Sequence, residues 1–350
     1  MAHDEIHLTV LICTRNGART IGEAAGRCIE ELERSPAGTG ELIVVDNGST
    51  DATVSIVEDV RRGREGLATL LHAPRPGKNH AFELGVRAAR GALVCIIDDD
   101  NFIEPGFFEH AVRFFADFPQ VGIIGPDKRL ADGIEPPPWF QWAKDHLACA
   151  RPQLQDNLTT DHLGREVADL GYVAGAGMTF RKAPLLAAFE AGYRFFNDAI
   201  RGRKISGEDI ELCFLIRSMG FRFGHDPRMR LLHSVAVERL TERAFWTLCE
   251  TVGAGSLGID PFMFTTKQTG PPFPRRYSWQ WQLVAKCRQL IASQMSPDSY
   301  DDTPVGRRFW RKRLLHQHWG ALRRIAMERS EYTKHIHDVA AGPWTRLRVQ

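Results

Sequence analysis

The chain has 350 residues, 43% hydrophobic and 25% charged, which is enough for one large or two modest domains and excludes disorder, collagen and coiled coil. Its net charge of +2 hides an asymmetry: residues 271–350 carry 15 Lys/Arg against 6 Asp/Glu, a balance of +9 behind a body of −7. Seven widely spaced cysteines without a CxxC pair argue against a disulfide framework or a cysteine zinc site and for a reducing, cytoplasmic setting. The opening Met-Ala-His-Asp-Glu lacks a leader pattern, and the longest apolar run, Ala92 to Ile97, is far below the ~20 residues of a membrane span, so neither secretion nor spanning is expected.

The first 130 residues alternate short β-rich runs with amphipathic stretches. Leu8–Cys13, Glu41–Val45, Ala68–His72, Leu93–Ile97 and Val121–Gly125 read as buried strands, rich in Val, Ile and Leu. Thr20 with Glu23 suggests a capping box before Ile21–Leu32, and Pro105 stands where the first turn of Gly106–Phe118 begins. This alternation implies an α/β fold with a mostly parallel central sheet. Pro136-Pro137-Pro138 then breaks the pattern, and a mixed region runs to about Leu170. Helical periodicity returns in Asp209–Met219, stopped by Gly220, before a strand-like Phe221–Gly224. From about Val235 the chain reads as mostly helical, interrupted near Gly270-Pro271-Pro272-Phe273-Pro274, so a catalytic domain over 1–235 and a helical basic extension over 236–350 are expected.

In open α/β sheets ligands bind beyond the carboxyl ends of the strands. Here those ends are Thr14-Arg15-Asn16, Asp46-Asn47-Gly48-Ser49-Thr50-Asp51 and Asp98-Asp99-Asp100-Asn101. Three adjacent carboxylates repel unless a cation or protons offset them. Strand alternation puts Asp98 and Asp100 on one side, and hard carboxylate oxygens suit Mg²⁺ or Mn²⁺ shared with substrate phosphates; a helix N-cap cluster is the alternative. The P-loop pattern is absent, and the Gly253-Ala254-Gly255-Ser256-Leu257-Gly258 motif follows a helical stretch, so it reads as a loop or packed helix break.

Four motifs in order, Ile12-Cys13-Thr14-Arg15-Asn16, Val44-Val45-Asp46-Asn47-Gly48-Ser49-Thr50-Asp51, Asp98-Asp99-Asp100 and Gly207-Glu208-Asp209-Ile210-Glu211-Leu212, give the first 235 residues a resemblance to family-2 glycosyltransferases of the GT-A fold. Asp98-Asp99-Asp100-Asn101 and Glu238-Arg239-Leu240-Thr241 look most like bacterial transferases of polysaccharide or secondary-metabolite assembly. The resemblance implies a nucleotide-sugar donor, a UDP-sugar foremost, held by Thr14, Arg15, Asn16, Asp46, Lys78, Asn79, Asp98 and Asp99. It implies Mn²⁺ or Mg²⁺ on Asp100, Asp98 and His233. Asp209 would be the catalytic base of an inverting transfer, since a sugar hydroxyl is a poor nucleophile until a carboxylate takes its proton. Gly175, Gly177, Glu208 and Trp139 would meet a saccharide, lipid-linked or small-molecule acceptor. Plainer readings stand beside these: a solvated Lys78, a structural His233, a tight turn at Gly175–Gly177, a helix first-turn acid at Glu211 and an aromatic core at Trp139.

The Gln-x-x-Arg-Trp motif and membrane spans of processive synthases are missing, so one sugar per event is expected. A nucleotidyltransferase would share the carboxylates but needs a triphosphate cradle, and an inactive membrane-associated scaffold would not need Asp98, Asp100 and Asp209 together. Residues 307–329 combine arginines with Trp310, Leu314, Leu315, Trp319, Leu322 and Ile325 as a basic amphipathic helix. Such a helix either lies on an anionic membrane, placing the protein peripherally at its inner face, or packs on the body. Nucleic acid is not favoured, because no recognised binding module accompanies the charge.

Overall fold

In the computed structural model the described residues are 7–35, 40–197, 205–296 except 266–277, Asp298, Asp301 and 303–346. Apolar runs buried on both faces form the parallel strands β1 (Leu8–Thr14), β2 (Gly40–Asp46) and β4 (Leu93–Ile96), which with the partly exposed edge strand β3 (Ala68–His72) pair in the order β3-β2-β1-β4. Helices α1 (Ile21–Arg34), α2 (Thr53–Arg61) and α3 (Lys78–Ala88) make the crossovers. Ile21, Ala24, Ala25, Cys28, Ile29 and Leu32 bury one stripe of α1 at helical spacing. The capping box is not made: the Thr20 side chain caps nothing, and Glu23 instead pairs with Arg27 at 2.6 Å. Gly106, at φ 85°, takes the N-cap of α4 (Phe107–Asp117), one position beyond Pro105.

Beyond β4 the sheet also takes in the short β5 (Asn101–Ile103), β6 (Val121–Leu130), β8 (Thr159–Thr160), β9 (Glu166–Ala168) and β11 (Thr179–Arg181), while β7 (Gln153–Gln155) and β10 (Leu170–Tyr172) pair as a separate two-stranded sheet. Strand β11 lies antiparallel between β4 and β6, and α5 (Lys182–Glu190) follows it. Helix α6 (Glu208–Ser218) ends as expected at Gly220, whose φ of 98° is the left-handed turn that glycine adopts freely. The strand after it, β12 (Arg222–His233), is much longer than the four residues the sequence suggests. It runs parallel to β6 for its length, with a bulge between Asp226 and Arg230, and so carries His233 to the sheet's polar end.

Helices α7 (Glu242–Thr265), α8 (Trp279–Met295), α9 (Pro304–Met327) and α10 (Arg329–Ala341) complete the chain; the interruption expected near Gly270–Pro274 lies outside the described residues. The boundary expected at 235/236 is not a break in the core, because Phe262, Val339 and Trp344 share one buried cluster with Phe180, Tyr193 and Leu212. The glycine motif is neither loop nor break but the contact surface of an unbroken α7. A side chain at Gly253 would strike the Gln317 backbone of α9, one at Gly255 the Ser206 carbonyl, and one at Gly258 the side chains of Asn197 and Glu211. Gly320 of α9 returns the fit against Glu250 of α7.

One buried polar hub ties these helices to the sheet domain. Arg324 donates to Asn197 Oδ1 (2.7 Å), the Phe196 carbonyl (2.7 Å), the Ala254 carbonyl (3.0 Å) and Glu328 (3.0 Å), and lies over the Phe196 ring. Replacing it leaves a desolvated carboxylate and three unmet acceptors, so Arg324→Met is expected to lower stability by about 3–5 kcal/mol. A urea-unfolding midpoint compared with that of the parent chain checks this.

Candidate functional site

The polar ends of β1, β2 and β4 converge, and hydrogen bonds lock them together. Asp46 folds its own loop, accepting from the Gly48 and Ser49 amides at 3.2 and 3.1 Å. Burial raises its carboxyl, but these bonds and His72 outweigh that and hold it below the ordinary range. Asn16, at φ 57°, accepts from the Thr50 amide at 2.8 Å, and its own amide donates to the Ser49 hydroxyl at 2.9 Å. Arg15 is exposed beside it. The Asn47 side chain accepts from the Gly77 amide at 3.0 Å and so sets the start of α3, whose first residue is Lys78.

The three aspartates lie in the turn between β4 and β5, so strand alternation does not govern them and each faces a different partner. Asp98 leans toward Lys78 Nζ at 3.8 Å. Asp99 accepts from the Thr14 hydroxyl beneath Gly17, and burial raises its carboxyl to about 6 against that bond. Asp100 faces His233 Nε2 at 3.4 Å and Arg239 at 3.5 Å. The Leu147 carbonyl accepts from His233 Nδ1 at 2.9 Å, leaving Nε2 aimed at the carboxylate. Burial pushes this imidazole down, but the bonds to Asp100 and Cys149 raise it to about 10, while His233 and Arg239 hold Asp100 low despite its burial. Among the described residues no three His, Cys, Asp or Glu side chains gather as a metal cluster, so the expected set of Asp98, Asp100 and His233 is not assembled; Asp100 and His233 are.

Gly207, at φ 114°, opens α6 and brings Glu208 and Asp209 to the same place. Lys78 Nζ lies 2.8 Å from Glu208, which keeps the ammonium protonated. Asp209 accepts from the Gly175 amide at 2.7 Å through Oδ2 and from the Ile210 amide at 2.9 Å through Oδ1. Burial and the adjacent Glu208 charge raise its carboxyl above the ordinary range. Gly175 thus holds Asp209 by its backbone. Gly177 is buried against Pro126 and Leu231 at φ 73°, a left-handed turn position that favours glycine. Asn79 donates its side-chain amide to the Asn197 carbonyl at 2.7 Å. Trp139 stacks with Phe309 and packs on Phe245, partly buried against an aromatic cluster.

Glu211 is no first-turn surface acid. Fully buried, it accepts from the Tyr193 hydroxyl (2.7 Å) and the Phe196 (2.8 Å) and Asn197 (2.9 Å) amides, while burial lifts it to about 7. Two further cations escape a reading of the sequence. Lys128 of β6 is buried with its ammonium on the Ala174 carbonyl at 3.3 Å; burial pushes it down to about 8, opposed by the charges of Asp209 and Asp98. Arg239 reaches Asp100 from the turn after β12. Its place within Glu238-Arg239-Leu240-Thr241 is a signal in the sequence, whereas Lys128, one basic residue at a strand end, has none.

A family profile described as glycosyl transferase family 2 matches residues 9–196, more than half of the chain. The chain belongs to that family. Among curated proteins it is similar to the putative glycosyltransferase EpsH of Bacillus subtilis, 31% identical over 90 residues, 26% of this chain and 26% of that protein. It is also similar to a dolichyl-phosphate beta-glucosyltransferase of Drosophila melanogaster, 32% identical over 102 residues, 27% of this chain and 31% of that one. These matches span about a quarter to a third of the relatives' length. Among solved structures, the mannosyltransferase PcManGT of Pyrobaculum calidifontis, determined with GDP-Man and Mn²⁺, is 19% identical and covers 91% of this chain and 87% of its own at a TM-score of 0.56. The fold of this family-2 chain is GT-A.

Proposed function

We propose that this chain transfers one sugar from a nucleoside-diphosphate sugar to an acceptor hydroxyl, with inversion and with Asp209 as base. The observation that carries the reading is the Asp209 carboxylate. It is buried, held by two backbone amides, raised in basicity, and set at a helix start beside a cluster of Lys78, Glu208 and Asp98. In the reaction the acceptor oxygen attacks the anomeric carbon, the bond from that carbon to the diphosphate breaks, and the acceptor proton passes to Asp209. Its Gly175 and Ile210 contacts keep the carboxylate in one orientation, so little reorganisation is needed.

The departing diphosphate is anionic, and the cations are placed for it. Lys78 is half-exposed at the mouth, Arg239 flanks Asp100, and Lys128 lies behind Asp98. The Asp100–His233 pair fits a divalent ion such as Mn²⁺: one hard oxygen and one imidazole nitrogen face each other, the second ring nitrogen is fixed by Leu147, and a proton and Arg239 now supply the positive charge Asp100 requires. An ion held there would supply charge neutralisation for the leaving diphosphate. Thr14, Asn16 and Asp46 shape the rim on which the nucleoside rests. A UDP-sugar is the first donor to test, and polysaccharide, glycolipid or metabolite glycosylation the first setting.

Asp209→Asn is expected to lower turnover by roughly 10²–10⁴ while leaving thermal stability and donor-induced stabilisation intact. Because the base acts ionised, activity of the parent chain falls as pH drops through the raised pKa of Asp209, so its acid limb lies above the ordinary carboxyl value of about 4. A pH–rate profile of kcat/KM reads both. Full activity of the variant, or an acid limb it leaves unmoved, would remove Asp209 from the base role. Thermal unfolding with UDP, GDP, dTDP, CDP or ADP, each with and without Mn²⁺, is expected to show stabilisation by one nucleotide that grows with the ion and loses that increment in His233→Ala.

A further inference from the structure

Of the eleven exposed large hydrophobic residues among those described, eight lie between residues 281 and 327. Four of them, Trp281, Val284, Ile291 and Met295, recur on α8 at a spacing that, with Arg288, confines them to an arc of about 80°. Gln282 and Lys286, buried on the opposite side, face α7, where Lys286 pairs with Asp260 at 2.8 Å. On α9, Leu315 and Trp319 share an outward stripe with Arg308, Arg311 and Arg323, opposite Gly320 and Arg324, which meet α7. The apolar residues of α9 therefore divide: Phe309, Ala321 and Ile325 pack inward, while Leu315 and Trp319 stay outside.

The two stripes adjoin. Gln294 of α8 donates to the Arg311 carbonyl of α9 at 3.2 Å, Met295 of α8 and Leu314 of α9 line one surface groove, and α9 packs along α7, which α8 reaches through Lys286. Together α8 and α9 hold nine Lys/Arg and no Asp or Glu. This face combines apolar bulk, two tryptophans and the exposed arginines Arg308, Arg311 and Arg323.

We infer that the outer face of the α8–α9 pair docks on an anionic lipid bilayer. Charge selects this occupant. A second copy of the same face would set arginines against arginines, and a nucleic acid would leave Trp281, Val284, Ile291 and Met295 uncovered. An anionic bilayer satisfies both parts: acyl boundary for the apolar stripe, headgroups for the arginines, whose stems lie along the interface. The helices lie in the membrane plane, since none among the described residues is long and apolar enough to cross it. This inference is independent of which sugar is moved.

The test is co-sedimentation of the full chain with vesicles of phosphatidylcholine alone or of equimolar phosphatidylcholine and phosphatidylglycerol. Binding to the anionic vesicles is expected to exceed that to neutral ones at least ~10-fold, to weaken about fivefold for each of Arg308→Gln and Arg311→Gln, and to be abolished in Ile291→Glu/Trp319→Glu. All four positions are exposed, and unchanged thermal unfolding of each variant verifies that it folds. Absent binding, equal binding to both vesicles, or full binding by the double glutamate variant overturns the inference. So does an analytical-ultracentrifugation result in which that variant converts a dimer to a monomer, which would make the face a self-interface.

Discussion

The placement of Glu211 and Arg324 in the interior constrains everything around them. Burying a carboxylate and a guanidinium is unfavourable unless nearly every lone pair and N–H finds a partner. Asn197 makes that possible: its amide and the Phe196 amide donate to Glu211, its Oδ1 accepts from Arg324, and its Nδ2 donates to the Gly207 carbonyl at 3.2 Å and the Gly255 carbonyl at 2.9 Å. Its own carbonyl accepts from Asn79 of α3. Five segments distant in sequence therefore assemble together, and one of them is the turn that launches Glu208 and Asp209. Gly255 and Gly258 belong to the same constraint, since a side chain at either would occupy space taken by Ser206, Asn197 or Glu211.

From this anchor the site follows as a charge pattern. Carboxylates and cations alternate: Glu208 and Asp98 about Lys78, Asp100 between His233 and Arg239, and Lys128 behind. Asp209 differs: its oxygens are held by amides, and burial with the Glu208 charge outweighs the Lys78 charge nearby, so it becomes more basic while Asp100, paired with His233 and Arg239, becomes less so. The division suits two kinds of work on one rim, holding an anion and accepting a proton.

The sequence made the first layer readable because its strands are unbroken apolar runs and its ligand-facing residues follow them directly. Gly207-Glu208-Asp209 and Gly220 likewise declare both ends of α6 locally. What was not readable depends on distance. Nothing near Asp98-Asp99-Asp100 says that the three side chains diverge in a turn, and nothing near Trp139 says that Phe245 and Phe309 cover its ring. Asn197 and Arg324 are separated by 127 residues, and Lys128 becomes a site residue only because β6 lies beside β12 and β11. The glycine motif was misread for the same reason, since its role lies in what packs against it. Thr20 and Glu23 failed in the opposite direction: a valid local motif lost to an equally local ion pair with Arg27.

The central claim is that the C-terminal helices and the start of α6 form one cooperative unit through Asn197 and Arg324. Native-state hydrogen exchange measures this most directly, by comparing opening free energies of the amides in 208–212 with those in 320–325. The account predicts that both sets open together, and that Arg324→Lys, which keeps the charge but loses the planar fork, lowers protection of both by the same amount. Helices α7–α10 opening separately at lower energy, with the α6 amides still protected, would contradict it.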